Sequence, residues 1–230
     1  MKEEESIFQR LEPLLGAEGM ERIAGLRVIV FGIGGVGSWC AESLVRSGVR
    51  QLTIVDPDVV CPSNVNRQLM ATMETLGRPK VEALRERLLS INPEASVTAL
   101  QQAYCEQTAA SFNLDGYDYV VDAIDSLKDK ALLIRRACQS GATLFSSMGA
   151  ARKTDPTRIR VAEFWKVEGD PLARTLRKRF KHEGCYPERK FLCVYSDERA
   201  ETGEKGSIVY ITAMFGFMLA GLVVQSCMKG

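Results

Sequence analysis

The chain has 230 residues, 46% hydrophobic and 26% charged, an ordinary globular balance that excludes intrinsic disorder and low-complexity structure. Thirty basic and 29 acidic residues nearly cancel, so any nucleic-acid contact must come from a local patch rather than from the bulk field. The single histidine, His182, argues against histidine-triad catalysis and multi-histidine metal sites, and seven scattered cysteines without CxxC spacing argue against a disulfide framework or a four-cysteine zinc site.

Met1–Glu5 is acidic and lacks the apolar core of a signal peptide. Over residues 6–25, Ile7, Phe8, Leu11, Leu14 and Leu15 recur at helical spacing, interrupted by Gly16 and Gly19. Val28–Phe31 is a short apolar run ending in glycines and predicts a buried parallel strand. Gly37–Ser47 reads as a helix stopped by Gly48, and Leu52–Val55 as a second buried strand ending on Asp56. Pro57, Pro62, Ser63 and Asn64 make the next stretch a loop. Lys80–Ile91 is a periodic helix closed by Asn92 and Pro93, followed by a strand at Ser96–Leu100. Tyr119–Asp122 is an apolar strand ending in an acid, Leu127–Ser140 a helix before Gly141, and Thr143–Phe145 another strand. This alternation predicts a doubly wound α/β architecture.

After Gly149 the texture changes. Residues 152–182 are rich in Arg and Lys, with helical spacing over Pro171–Lys181. Residues 183–206 read as a long loop around one strand, Phe191–Tyr195. Ser207–Met228 forms a last apolar helix. Its 22 uncharged residues meet the length criterion for a membrane span. Ser207, Thr212, Gln225, Ser226 and its glycines favour a buried core or dimer-interface helix instead.

Gly32-Ile33-Gly34-Gly35-Val36-Gly37 fits GxGxxG between a strand and a helix. Glycines there let the backbone approach a phosphate, and the helix N-terminus supplies free N–H groups and partial positive charge. Asp56 ends the next strand, where an acid accepts hydrogen bonds from ribose hydroxyls. Alone, these features favour a dinucleotide dehydrogenase; the plain alternative is a turn that packs strand on helix. Beyond Asp56, however, Asp58, Asn64, Arg67, Gln68 and Lys80 cluster polar and cationic groups just past the nucleotide loop. Hydride transfer has no use for them, whereas a triphosphate does. Asp125, at a strand end, is a carboxylate of the kind that holds Mg²⁺ beside phosphates. Singly, Arg67 and Lys80 read as solvated charges and Asp125 as a helix N-cap; as an ordered set on one sheet edge they read as a site.

Gly32–Ser38, Asp56–Asp58, Ser63–Gln68, Gly77–Lys80 and Asp122–Asp125 together resemble the ThiF/MoeB/HesA adenylating superfamily, related to ubiquitin-activating enzymes, over most of residues 8–150. Through Gly149–Thr157, Asp170–Ala173 with Arg177, and Thr212–Phe217, the second half is most similar to the tRNA threonylcarbamoyladenosine dehydratase branch. The resemblance implies an α/β, Rossmann-like three-layer sandwich. Its sheet would be mainly parallel in the N-terminal half, with a mixed or antiparallel extension. One domain would span residues 1–230: a nucleotide-binding half at 1–150 and a substrate, tRNA and dimer half at 151–230.

The implied reaction activates a carboxylate with ATP as an acyl-adenylate, applied to threonylcarbamoyladenosine at tRNA position 37, which then cyclises. By resemblance, Gly32, Gly34, Gly35, Gly37, Asp58 and Gln68 bind the nucleotide, Asp56 its ribose, and Asn64, Arg67 and Lys80 its phosphates. Asp125 binds Mg²⁺, and Arg10 reaches the ATP of a partner subunit, implying a homodimer; the plain reading of Arg10 is a surface charge. ThiF- and MoeB-type proteins usually carry two CxxC pairs, and their lack here favours the dehydratase branch. The stretch near Glu201-Thr202-Gly203 lacks the cysteine that the longer family members carry before the last helix, leaving Cys185 and Cys193 as thiols that read as bystanders. A monovalent cation in the 149–207 region, sulfur-relay partners and a cytoplasmic location complete the expectations.

Arg152, Lys153, Arg158, Arg174, Arg177 and Lys178 concentrate positive charge beyond the nucleotide half and predict a tRNA phosphate footprint; the bland reading is a solvated helix face. Three other functions compete: adenylation of a ubiquitin-like sulfur carrier, a nicotinamide-binding oxidoreductase, and a nucleotide-binding regulator without turnover.

Overall fold

Arg27–Phe31 (β1) buries every residue after its first, the pattern of a strand covered by helices on both faces. Gln51–Val55 (β2) repeats it, and Tyr119–Asp122 (β4) is buried throughout. The computed structural model, which describes residues 6–198 and 206–229, joins these to Ser96–Leu100 (β3), Thr143–Ser147 (β5), Ile159–Glu163 (β6) and Leu192–Ser196 (β7) in one sheet of order β3-β2-β1-β4-β5-β7-β6. Every pairing is parallel except β6 with β7.

Among the described residues, six α-helices cover the sheet. Glu12–Gly25 (α1), Gly37–Arg46 (α2), Lys80–Ile91 (α3) and Val209–Lys229 (α6) share a core on one face, and Leu127–Gln139 (α4) and Pro171–Glu183 (α5) on the other. This is the doubly wound α/β architecture that the alternation predicts, and the Rossmann-like three-layer sandwich with an antiparallel extension that the resemblance implies. Each capped end has a visible cause. Ser126 accepts a bond from the Asp129 N–H at the start of α4, and Asp170 one from Ala173 at the start of α5. The Arg189 guanidinium donates to the carbonyls of Ala137, Cys138, Ser140 and Ala142, closing the C-terminus of α4.

Several boundaries differ from the sequence reading. Residues 7–11 form turns rather than helix, and α1 breaks at Gly16, where φ is 69°. The expected Thr143–Phe145 strand runs on to Ser147. β6 lies within the Arg/Lys-rich span, where no strand was expected, because on this edge strand Arg160 and Val161 are both exposed, one on each face, and hide the alternation. The Glu201-Thr202-Gly203 stretch lies outside the described residues.

Among the described residues, α6 is the one helix long and apolar enough to cross a membrane by length and composition. Its Ile211, Phe215, Leu219 and Val223 are wholly buried against α2 and the sheet. Gly216 permits that packing: a Cβ there would lie 2.5 Å from the Val36 carbonyl oxygen.

Candidate nucleotide-binding site

β1 and β4 are neighbours whose following helices, α2 and α4, lie on opposite faces of the sheet. A crevice must open at such a switch point, beyond the C-terminal strand ends. A cleft of about 820 Å³ lies there, lined by the glycine loop, Asp56–Asp58, Asn64, Arg67, Gln68, Lys80 and Ala123–Leu127. Every expected nucleotide-binding residue except Gly37 lines this one volume. Gly37 instead lets α2 start hard against β1, since a Cβ there would sit 1.9 Å from the Gly32 carbonyl oxygen.

Asp56 is buried, and both its oxygens are held. Oδ2 accepts from the Ile33 N–H at 2.9 Å and Oδ1 from the Asp58 N–H at 3.0 Å. Burial pushes its carboxyl above the ordinary 3.8, against the pull of Lys80 and the two backbone donors. Lys80 is the first residue of α3 and is itself buried. A cation at a helix N-terminus opposes the dipole; here Asp58 offsets it at 2.7 Å, with Asp56 3.8 Å away. Positive helix end and ammonium together suit an added anion. Arg67 donates to the Ser63 carbonyl at 2.6 Å and to Asn66 Oδ1 at 2.9 Å. Asn64 spends its oxygen on the Cys61 N–H, leaving its amide donors available. Gln68 is buried, and its Oε1 has no partner among the described residues. An orphaned acceptor beside a glycine loop fits a bound polar ligand. Asp125 is exposed on the cleft wall, and a lone carboxylate beside phosphate sites suits Mg²⁺.

Of the six cations expected to meet tRNA, Arg152, Arg174 and Lys178 are exposed, and Arg152 lines the cleft mouth. The other three are engaged within the chain. Lys153 is buried, its ammonium donating to the carbonyls of Ser196 and Glu198, so a cation already occupies that pair of oxygens in the region considered for a monovalent ion. Arg158 pairs with Asp197 at 2.8 Å. Arg177 donates to the Phe164 and Val167 carbonyls at 3.0 and 2.8 Å. Arg10 lies exposed in the turns before α1 and does not line the cleft. Cys193 is buried in β7, and burial raises its thiol well above the ordinary range; Cys185 is exposed.

Sequence reasoning missed four contributors. Ser207, just before α6, and Thr212 in its first turn close the cleft, which no local pattern indicates. Tyr104 lines it while packed edge-on to Phe31, its hydroxyl pushed up to about 12 by burial. Lys130 is fully buried, 2.8 Å from Asp122 Oδ2; its place on the apolar face of α4, between Leu127 and Ile134, is a signal the spacing contained.

A Rossmann-like nucleotide-binding protein is the class that this fold and cleft define. Residues 8–229 match the ThiF family, and the chain belongs to it. It is 38% identical to the tRNA threonylcarbamoyladenosine dehydratase of Bacillus subtilis, over 96% of this chain and 94% of that protein. It is 34% identical to the Haemophilus influenzae protein of the same name, over 98% and 94%. The crystal structure of E. coli tRNA N6-threonylcarbamoyladenosine dehydratase, TcdA, in complex with ATP superposes with a TM-score of 0.91 at 35% identity, covering 96% of this chain and 93% of that one.

Asp56 and Asp170 both titrate higher folded than unfolded because of burial. Their ionisation therefore opposes folding: the stability they contribute is complete below the unfolded value and is lost as pH rises through the folded values. Asp56→Asn should remove part of the loss in unfolding free energy as pH rises from the ordinary carboxylate value, about 4, through the raised folded value. Urea denaturation of parent and variant across that range measures it; identical pH slopes would contradict the assignment.

Proposed function

We propose that this chain is an ATP-dependent tRNA threonylcarbamoyladenosine dehydratase. The observation that carries the reading is one cleft lined by a phosphate-binding glycine loop, a ribose-type acid at Asp56, Lys80 and Asp125, in a chain similar to dehydratases along nearly its whole length. Gly32, Gly34, Gly35 and Gly37 form the loop, Asp56 and Asp58 face the ribose side, and Asn64, Arg67, Gln68 and Lys80 bind the triphosphate. The threonyl carboxylate attacks the α-phosphorus; the new O–P bond forms as the bond to the bridging oxygen breaks and pyrophosphate leaves. A carbamoyl nitrogen then attacks the activated carbonyl carbon and loses its proton. AMP departs carrying the oxygen that the substrate loses, and the ring closes. Arg67 and Lys80 stabilise the charge that builds on the phosphates. Mg²⁺ held by Asp125 would neutralise phosphate charge when bound.

Residues 1–150 serve the nucleotide and residues 151–230 the tRNA and a second subunit, in one domain. The location that fits is the cytoplasm. The test of the reading is mass spectrometry of nucleosides from tRNA bearing threonylcarbamoyladenosine after incubation with protein and ATP. A mass loss of one water at that nucleoside is expected. Lys80→Ala and Arg67→Ala should each slow it by about a hundredfold or more. No change in the nucleoside, with adenylation of a purified ubiquitin-like carrier instead, would transfer the assignment to sulfur-carrier activation.

The homodimer reading rests on the role proposed for Arg10. Gly19 of α1 packs on Met228, at the far end of α6 from Thr212, a span of about 24 Å along the helix. This supports Arg10 serving a partner's cleft rather than its own. Mixing inactive Arg10→Ala and Lys80→Ala proteins should restore about a quarter of the sites, one in each mixed dimer at random pairing. No recovery after verified subunit exchange rejects a role in trans.

The tRNA contact narrows to Arg152 at the cleft mouth and Arg174 and Lys178 on α5, whose Pro171, Leu172 and Thr175 line the cleft. The latter two lie one helical turn apart and have no ion-pair partner among the described residues. Arg174→Glu with Lys178→Glu should weaken tRNA binding and lower its salt slope by about one per lost phosphate contact, with ATP affinity unchanged. An unaltered slope would make that face solvated surface only.

A further inference from the structure

Asp122, Lys130 and Ser146 are fully shielded from solvent beneath the cleft. The Lys130 ammonium lies 2.8 Å from Asp122 Oδ2 and donates to the Ile124 carbonyl at 3.0 Å. Asp122 Oδ1 accepts from the Ile124 N–H at 3.1 Å, and Ser146 Oγ donates to Oδ2 at 2.6 Å. Ile124 is thus held at both its N–H and its carbonyl, and the next residue is Asp125. On the other side the same segment abuts the glycine loop. The Ala123 N–H donates to the Phe31 carbonyl at 2.8 Å, and a Cβ on Gly32 would fall 2.7 Å from the Ala123 carbonyl oxygen.

A buried ion pair is weak evidence for stability, since apolar side chains of similar volume often serve as well. Its directional bonds supply what a methionine at this position could not: a fixed carbonyl at Ile124. We propose that Lys130 is a positioning residue of the site, holding the Ala123–Ile124 segment between the glycine loop and Asp125 so that the carboxylate keeps a set distance from the phosphate-binding backbone. Asp122 and Ser146 orient the ammonium. The metal part of this inference rests on the nucleotide reading above; the backbone part does not.

The test uses Lys130→Met combined with Asp122→Asn, which leaves no unpaired buried charge, and Ser146→Ala, which removes one donor without changing charge. Hydrogen exchange of the ligand-free protein should show amides of residues 123–126 exchanging at least about tenfold faster in the double variant, with β1 and β2 unchanged. Calorimetric titration of Mg²⁺ into the ATP complex should show about tenfold weaker binding, as for loss of groups that orient a metal ligand. Ser146→Ala should move both readouts the same way by less. A folded double variant with parental exchange at 123–126, or with exchange faster throughout the sheet, overturns the proposal. If the double variant does not fold, Ser146→Ala decides alone, and unchanged exchange rejects it. If the parent binds no Mg²⁺ with ATP, the nucleotide reading fails while the exchange result still judges Lys130.

Discussion

The first turn of α2 has no room for a side chain where it meets the end of β1. The Gly32 carbonyl oxygen lies where a Cβ of Gly37 would be, so α2 can begin only as a bare backbone pressed onto the strand. That contact aims the N-terminus of α2 at the cleft and sets its axis. α6 depends on it in turn, because Gly216 lays α6 against Val36 and Cys40 of that same turn. With α6 so placed, Thr212 and Ser207 complete the cleft wall. A chain of backbone-to-backbone contacts, not side-chain recognition, therefore carries the geometry from the centre of the sheet to the rim of the site.

Charge in the cleft is arranged against folding and in favour of an anion. Lys80 stands at a helix N-terminus, where the dipole disfavours it. Asp56 stays buried with its carboxyl pushed up. Each local disadvantage is offset by a neighbour, Lys80 by Asp58 and Asp56 by the Ile33 and Asp58 amides. Natural chains break local rules of this kind at functional sites and compensate elsewhere. The Asp122–Lys130 pair follows the same logic one layer deeper, using a costly burial to hold backbone rather than ligand.

The second half of the chain separates cations by use. Lys153, Arg158 and Arg177 hold the segment that leads from the cleft through β6 to α5, each spent on carbonyls or on Asp197. Arg152, Arg174 and Lys178 stay exposed. A net charge near zero is thus compatible with exposed cations on this half, because a residue count does not separate cations held by carbonyls or by Asp197 from those left at the surface.

The sequence by itself determined the β–α alternation from Val28 to Phe145, the glycine loop and the order of Asp56, Arg67, Lys80 and Asp125. Buried parallel strands are continuous apolar runs, and a phosphate loop needs glycines at set spacings, so both leave marks within a few residues of one another. Tertiary structure alone decided what depends on distant partners. β6 is an edge strand whose identity comes from pairing with β7, more than 25 residues later in the chain. Asn66 meets Ser207 across 141 positions. Whether a given Arg or Lys serves the fold or the surface was equally hidden, since Lys153 and Arg152 are adjacent in sequence and opposite in burial. An ion pair or a carbonyl contact is set by which chain segments meet in space; the apolar face of α4 marks Lys130 as buried, but Lys153 lies outside any periodic element and its neighbours carry no such mark.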